Sequence, residues 1–144
     1  MPASPETREV LLVALRDIRP ELSTISERLV AAMPTAERTE FDPGMREQFL
    51  NALEAVMLEA LEGTSTETRS FIFEVAIPAM VDQGRTAMSL LEGHVALFIL
   101  LTGQLVAEVP GERRAAAEAW LAVYFAGFVR ELTEVAQRTE AGNA

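Results

Sequence analysis

The stretch from Ser89 to Val109, SLLEGHVALFILLTGQLVAEV, constrains this chain more than any other. It holds the only histidine, and no charged residue falls between Glu92 and Glu108. Ser89 and Glu92 have the S-x-x-E spacing of a capping box, in which each residue satisfies a free backbone N–H of the other. A helix is therefore expected to start at Leu90 and to run about five turns. From His94 to Ala107 it is apolar on nearly every face, so other helices must surround it. The segment is expected to be too short, and too broken by Thr102, Gly103 and Gln104, to span a bilayer, which needs roughly 20 apolar residues. The segment reads as the buried central helix of an all-α domain.

A chain of 144 residues is one domain by length. At that size about 68–70% of the unfolded surface can be buried, so neither disulfide nor metal is required. The absence of cysteine excludes a disulfide framework, a thiolate zinc site, an iron–sulfur cluster and a cysteine nucleophile. It fits a reducing cytoplasm, and MPASPETREV has no basic region leading into an apolar core. The net charge is −10, with 22 acidic residues against 12 basic ones, all arginine. Such a surface repels phosphate backbones and anionic membranes, so neither nucleic acid nor membrane is an expected partner.

Along the chain, Ser4-Pro5-Glu6 is a helix start: a capping hydroxyl, a proline where its missing N–H costs nothing, then an acid at the positive dipole end. The first helix should run from Pro5 to Ile18 and break at Arg19, before Pro20. A second, over 21–33, carries Leu22, Ile25, Leu29 and Met33 on one stripe. PTAERTEFD (34–42) is a connecting loop ending in an Asp42-Pro43 start signal. The next helix presents Phe49, Leu53, Val56 and Ala60, flanked by Leu50, Met57 and Leu61, and stops at Gly63. Thr64 and Glu67 form another candidate capping box, opening a helix that Pro78 should kink and Gly84 should end. Pro110 and Gly111 precede a last helix from Glu112 to about Gln137, with a frayed tail over 138–144. Six or seven helices in a single bundle are expected.

Catalytic signatures are missing. There is no G-x-S-x-G elbow, Walker loop, G-x-G-x-x-G or EF-hand loop, and the acidic residues fall on polar helix faces such as Glu47, Glu54 and Glu62. The chain is not expected to be an enzyme. His94 has two readings: a core histidine bonded to a carbonyl, or the single axial ligand of a haem. A metal site is not expected, since no second histidine exists. Arg85, in DQGRT, is the only base between Arg69 and Arg113; it either meets a helix dipole or pairs with an anion. Candidate ligand-lining residues are His94, Phe98, Phe73, Tyr124 and Arg85.

The last helix carries two apolar ridges, Trp120-Tyr124-Phe128 and Leu121-Phe125-Leu132. Both can serve the core, or one can serve a partner, because aromatics are enriched at interfaces. Gly127 would let two backbones approach. A homodimer through Trp120, Tyr124, Gly127 and Phe128 is expected.

Taken in order, the helical pair, the acidic loop, the kinked segment 71–83, GRTAMSLLEGHVALFILLTGQL and the long aromatic last helix resemble the globin-like input domains of RsbR-type stressosome regulators and their co-antagonists. Gly84, Arg85, Ser89, Leu90 and His94 occupy places comparable to the motif that opens the central helix there, and the resemblance covers roughly 22–137. It implies a globin-like bundle without haem that dimerises through its last helices and signals to a protein partner in a stress-response complex. True globins place the proximal histidine ahead of the last two long helices, whereas His94 falls inside the first of that pair. The function expected is a cytoplasmic, non-enzymatic sensory or regulatory module acting by helix repacking. A haem sensor using His94 and a purely structural dimerisation domain are the alternatives.

Overall fold

The computed structural model describes residues 3–22, 24, 27, 28, 31 and 43–143. Most of the helix expected over 21–33, the loop 34–42 and the Asp42 start signal lie outside these residues, as do the side chains of Phe49 and Leu50. Leu22 is described and is buried.

Helix α1, Pro5–Ile18, starts and ends as the local signals dictate. Ser4 Oγ accepts the Thr7 N–H at 3.2 Å and donates to Thr7 Oγ1 at 2.9 Å. Pro20 converts the next turn, Arg19–Glu21, to a 3₁₀ turn. Helix α2, Pro43–Glu62, buries Leu53, Val56, Met57 and Leu61. It ends at Gly63, whose φ of 68° is the left-handed conformation that glycine adopts without strain.

Helix α3 spans 67–82 and starts at Thr66, with the Ser65 hydroxyl accepting the Glu67 N–H at 3.2 Å. The expected Thr64–Glu67 box is not formed. Pro78 does not simply kink this helix. Between Glu67–Phe71 and Ile77–Asp82 lies a π-helical turn, Ile72–Ala76, with the Ile77 N–H bonded to the Ile72 carbonyl. A proline ring crowds the carbonyl four residues back, and the wider turn relieves that contact while keeping the helix continuous. Gly84, at φ 100°, then closes a Schellman motif: its N–H reaches Val81 O and the Arg85 N–H reaches Met80 O, each at 3.0 Å.

Helix α4, Ala87–Glu108, begins three residues before the expected Leu90. Its cap is Thr86, whose Oγ1 accepts the Ser89 N–H at 3.0 Å, so the Ser89–Glu92 box is not the start. By length and composition this helix of 22 residues, with mean hydropathy 1.7 in its most apolar window, could cross a membrane. The expectation that it is too short fails on that count. Thr86→Ala should cost about 1 kcal/mol in chemical denaturation, the usual effect of losing a hydroxyl cap; an unchanged midpoint would mean the cap contributes nothing.

Helix α5, Arg114–Asn143, follows a 3₁₀ turn at Gly111–Arg113. The helix continues past the expected end at Gln137: the Glu140 carboxylate accepts the Ala87 N–H at the start of α4, and Asn143 Nδ2 donates to Asp82 Oδ1 at 2.8 Å. A carboxylate at a helix N-terminus is favoured by the dipole, and this contact joins the last turns of α5 to the start of α4.

The described residues form five helices and no strand, fewer than the six or seven expected. The fold is all-α. Helices α4 and α5 pack as an antiparallel hairpin, with α1 against α4 and the second half of α3 against α5. The core joins Leu11, Leu15 and Ile18 of α1 to Leu97, Leu101 and Leu105 of α4 and to Leu121, Phe128 and Leu132 of α5. Helix α4 is not surrounded, however. Met88, Val95 and Ile99 are 62%, 39% and 67% exposed, so one apolar face is left uncovered by the described residues.

Candidate functional site

Three elements converge on an aromatic cluster. Phe73 lies on the π turn of α3, His94 and Phe98 one turn apart on α4, and Phe125 and Phe128 on α5. Phe98 stacks on Phe125 at 4.2 Å and meets Phe128 edge-on at 5.3 Å. Phe73 tilts against Phe128 at 4.9 Å. The His94 ring lies 6.1 Å from Phe128 and 6.0 Å from Phe98.

His94 is 6% exposed, and its Nδ1 lies 2.8 Å from the Leu90 carbonyl of its own helix. A carbonyl only accepts, so Nδ1 carries the proton and Nε2 is the acceptor nitrogen of the neutral ring. Burial pushes the imidazole pKa down to about 4; the Leu90 bond opposes this and the positive charge of Arg85 adds to it. The ring is uncharged at neutral pH.

An apolar groove of about 280 Å³ runs between α2 and α3 and reaches this ring. Ala52 and Leu53 form one wall, Ile72, Ala76 and Ile77 the other, and His94 and Phe128 the floor. The π turn thus widens α3 where the groove passes, a common place for such turns. The imidazole is flanked by two phenylalanine rings, and the groove is slightly smaller than the about 300–1,000 Å³ of ordinary small-molecule sites. Among the described residues no three His, Asp or Glu side chains gather as a metal site.

Of the five ligand-lining candidates, His94, Phe98 and Phe73 come together. Arg85 is half-buried in the α3–α4 connection, where its charge reaches His94. Tyr124 lies at the edge of the cluster, 6.4 Å from Phe128, and borders a second cleft of about 460 Å³ with Glu59, Arg69 and the turn at 63–66. Its hydroxyl is buried and has no hydrogen-bond partner among the described residues. Burial raises its pKa to about 12; Arg69 opposes the shift and Glu59 reinforces it.

Sequence reasoning missed Glu59 and Arg69. The Glu59 carboxylate accepts the Thr68 hydroxyl at 2.6 Å and the Thr68 N–H at 3.0 Å, tying the end of α2 to the start of α3. The hydroxyl bond, chiefly, holds its carboxyl below the usual range. Arg69 pairs with Glu131 of α5 and lies 5.2 Å over the Phe73 ring. The Arg69–Glu131 pair joins residues 62 apart in the chain, and no local spacing marks it.

None of the four residues expected at a dimer interface is exposed. Trp120 and Phe128 are 8% and 1% exposed, turned into the chain's own core, with Tyr124 and Gly127 half-buried beside them. What α5 exposes is another ridge, Glu118-Ala122-Ala126-Arg130, with Val123 alongside at 57% exposure. An open apolar groove of about 410 Å³ lies between this ridge and Val95, Ile99 and Thr102 of α4. No protein-family model, curated protein or solved structure matches the chain.

Proposed function

We propose that this chain is a non-enzymatic regulatory module, a homodimer held by α4 and α5, whose helices repack when a small apolar molecule enters the His94 groove. One observation carries the reading. Val95, Ile99 and Val123 are exposed on the two helices whose inner faces carry His94 and Phe128. A 22-residue helix without a charge between Glu92 and Glu108 leaves its outer face bare, and a second copy is the simplest cover.

His94 faces inward and Val95, the next residue, faces out, so a shift of α4 alters groove and interface together. Such helix shear needs a ligand that favours one packing over the other. The π turn beside Pro78, and Gly93 and Gly103 on α4, are where the movement costs least. The resemblance to haem-free globin-like input domains adds a protein partner in a signalling complex and a cytoplasmic setting.

Light scattering tests this, with haem added and the absorption recorded on the same samples. The wild type should have twice the 15.7 kDa chain mass, and Ile99→Glu, a change at a 67%-exposed site, should give a folded monomer. A monomeric wild type would remove the dimer. A Soret band abolished by His94→Ala would replace this reading with a haem sensor.

A further inference from the structure

We infer that two copies of this chain pair through α5 in one antiparallel register, with Glu118 of each copy facing Arg130 of the partner subunit across a two-fold axis level with residue 124. The inference rests on the dimer reading and adds to it a register and the partner's chemistry.

Glu118, Ala122, Ala126 and Arg130 recur every fourth residue, so they form one continuous ridge on α5, and all four are exposed. The ridge is self-complementary only when reversed. Placed antiparallel, Glu118 meets Arg130 and Ala122 meets Ala126, both pairings centred at the same level; placed parallel, like charges meet at both ends. The two charges are about 18 Å apart along the helix, which brackets an apolar centre. Alanine at the crossing lets the axes approach to about 8 Å, near the lower end for packed helices. Val123 and, across the groove, Val95 and Ile99 of α4 then lose their contact with water.

Charge favours this ridge over other faces. Each copy carries −10, so two copies repel at a distance and need local compensation where they touch. The ridge is neutral and holds its acid and base at opposite ends. Neither Glu118 nor Arg130 takes part in an ion pair among the described residues. Another exposed apolar patch, Phe71 and Val75 on α3, is flanked by Glu67 and Glu74, so a second copy would bring only more acid there.

Sedimentation equilibrium on the full chain separates the possibilities. Glu118→Arg and Arg130→Glu, each at an exposed position, should weaken self-association about tenfold or more, since two like-charge contacts replace two attractive ones. An equimolar mixture of the two variants should associate as well as the wild type, because each mixed pair restores both contacts. The double variant E118R/R130E should also return to wild-type strength, and added salt should narrow all these differences. A wild type that dimerises while both single variants match it would overturn the register and leave the dimer standing. A wild type that stays monomeric at every concentration would overturn both.

Discussion

Phe128→Ala should destabilise the protein by about 3 kcal/mol or more, the range for removing a buried aromatic ring. Phe128 is 1% exposed and touches rings from three directions: Phe73 of α3, His94 and Phe98 of α4, and Tyr124 on its own helix. Truncation removes its own burial and also unseats these contacts. Because the ring borders the α2–α3 groove, part of the new space joins that groove instead of forming a sealed void, which holds the cost toward the lower end. Domains of this size have about 5–15 kcal/mol in total, so the effect is a large fraction. Urea unfolding followed by circular dichroism measures it, with Phe128→Leu as the milder control, expected below about 1.5 kcal/mol. An alanine variant within 1 kcal/mol of wild type would mean that these rings do not hold the helices together.

How much of this was legible follows from how local each signal is. Ser4-Pro5-Glu6 fixed the start of α1, and Gly63 and Gly84 fixed two stops, because cap and left-handed glycine involve only adjacent residues. The start of α4 was misread by three residues. Two overlapping pairs, Thr86–Ser89 and Ser89–Glu92, offer the same spacing, and the Schellman closure at Gly84 and Arg85 favours the earlier one. The end of α5 was expected too early, at Gln137, because Glu140 and Asn143 find their partners, Ala87 and Asp82, more than fifty residues away. Pro78 announces that a backbone bond must be lost, but whether a helix kinks or widens depends on the neighbour against which it packs.

The site was legible for the same reason and to the same limit. His94 and Phe98 share a helix face, and Phe73 follows from the pattern of its own helix, so their convergence was expected. Direction was not. Helix α5 has large apolar residues over most of its circumference, and a ridge of alanines with one acid and one base draws little notice beside tryptophan and tyrosine. The inner surface, once assembled, claimed both aromatic ridges and left the alanine ridge outside. The Arg69–Glu131 pair spans 62 residues and has no sequence signature.

Protonation of His94 should make the protein lose stability in acid, over a window set by its own pKa. In the unfolded chain the imidazole takes up its proton near pH 6.5; in the folded chain burial delays this to about pH 4. Between these values the unfolded state holds a proton that the folded state refuses, so acid favours unfolding. The contribution is whole above pH 6.5, shrinks as the pH falls, and is lost by about 3 kcal/mol at pH 4. Carboxylates titrate in the same range, Glu59 among them with a lowered pKa, so the wild-type curve alone does not isolate the ring. The difference from His94→Leu does. That variant keeps the carboxylates and lacks the imidazole, and should gain about 3 kcal/mol on the wild type between pH 7 and pH 4. Parallel curves would mean that the ring reaches water in the folded protein, and an imidazole in contact with water could not form the dry floor of an apolar site.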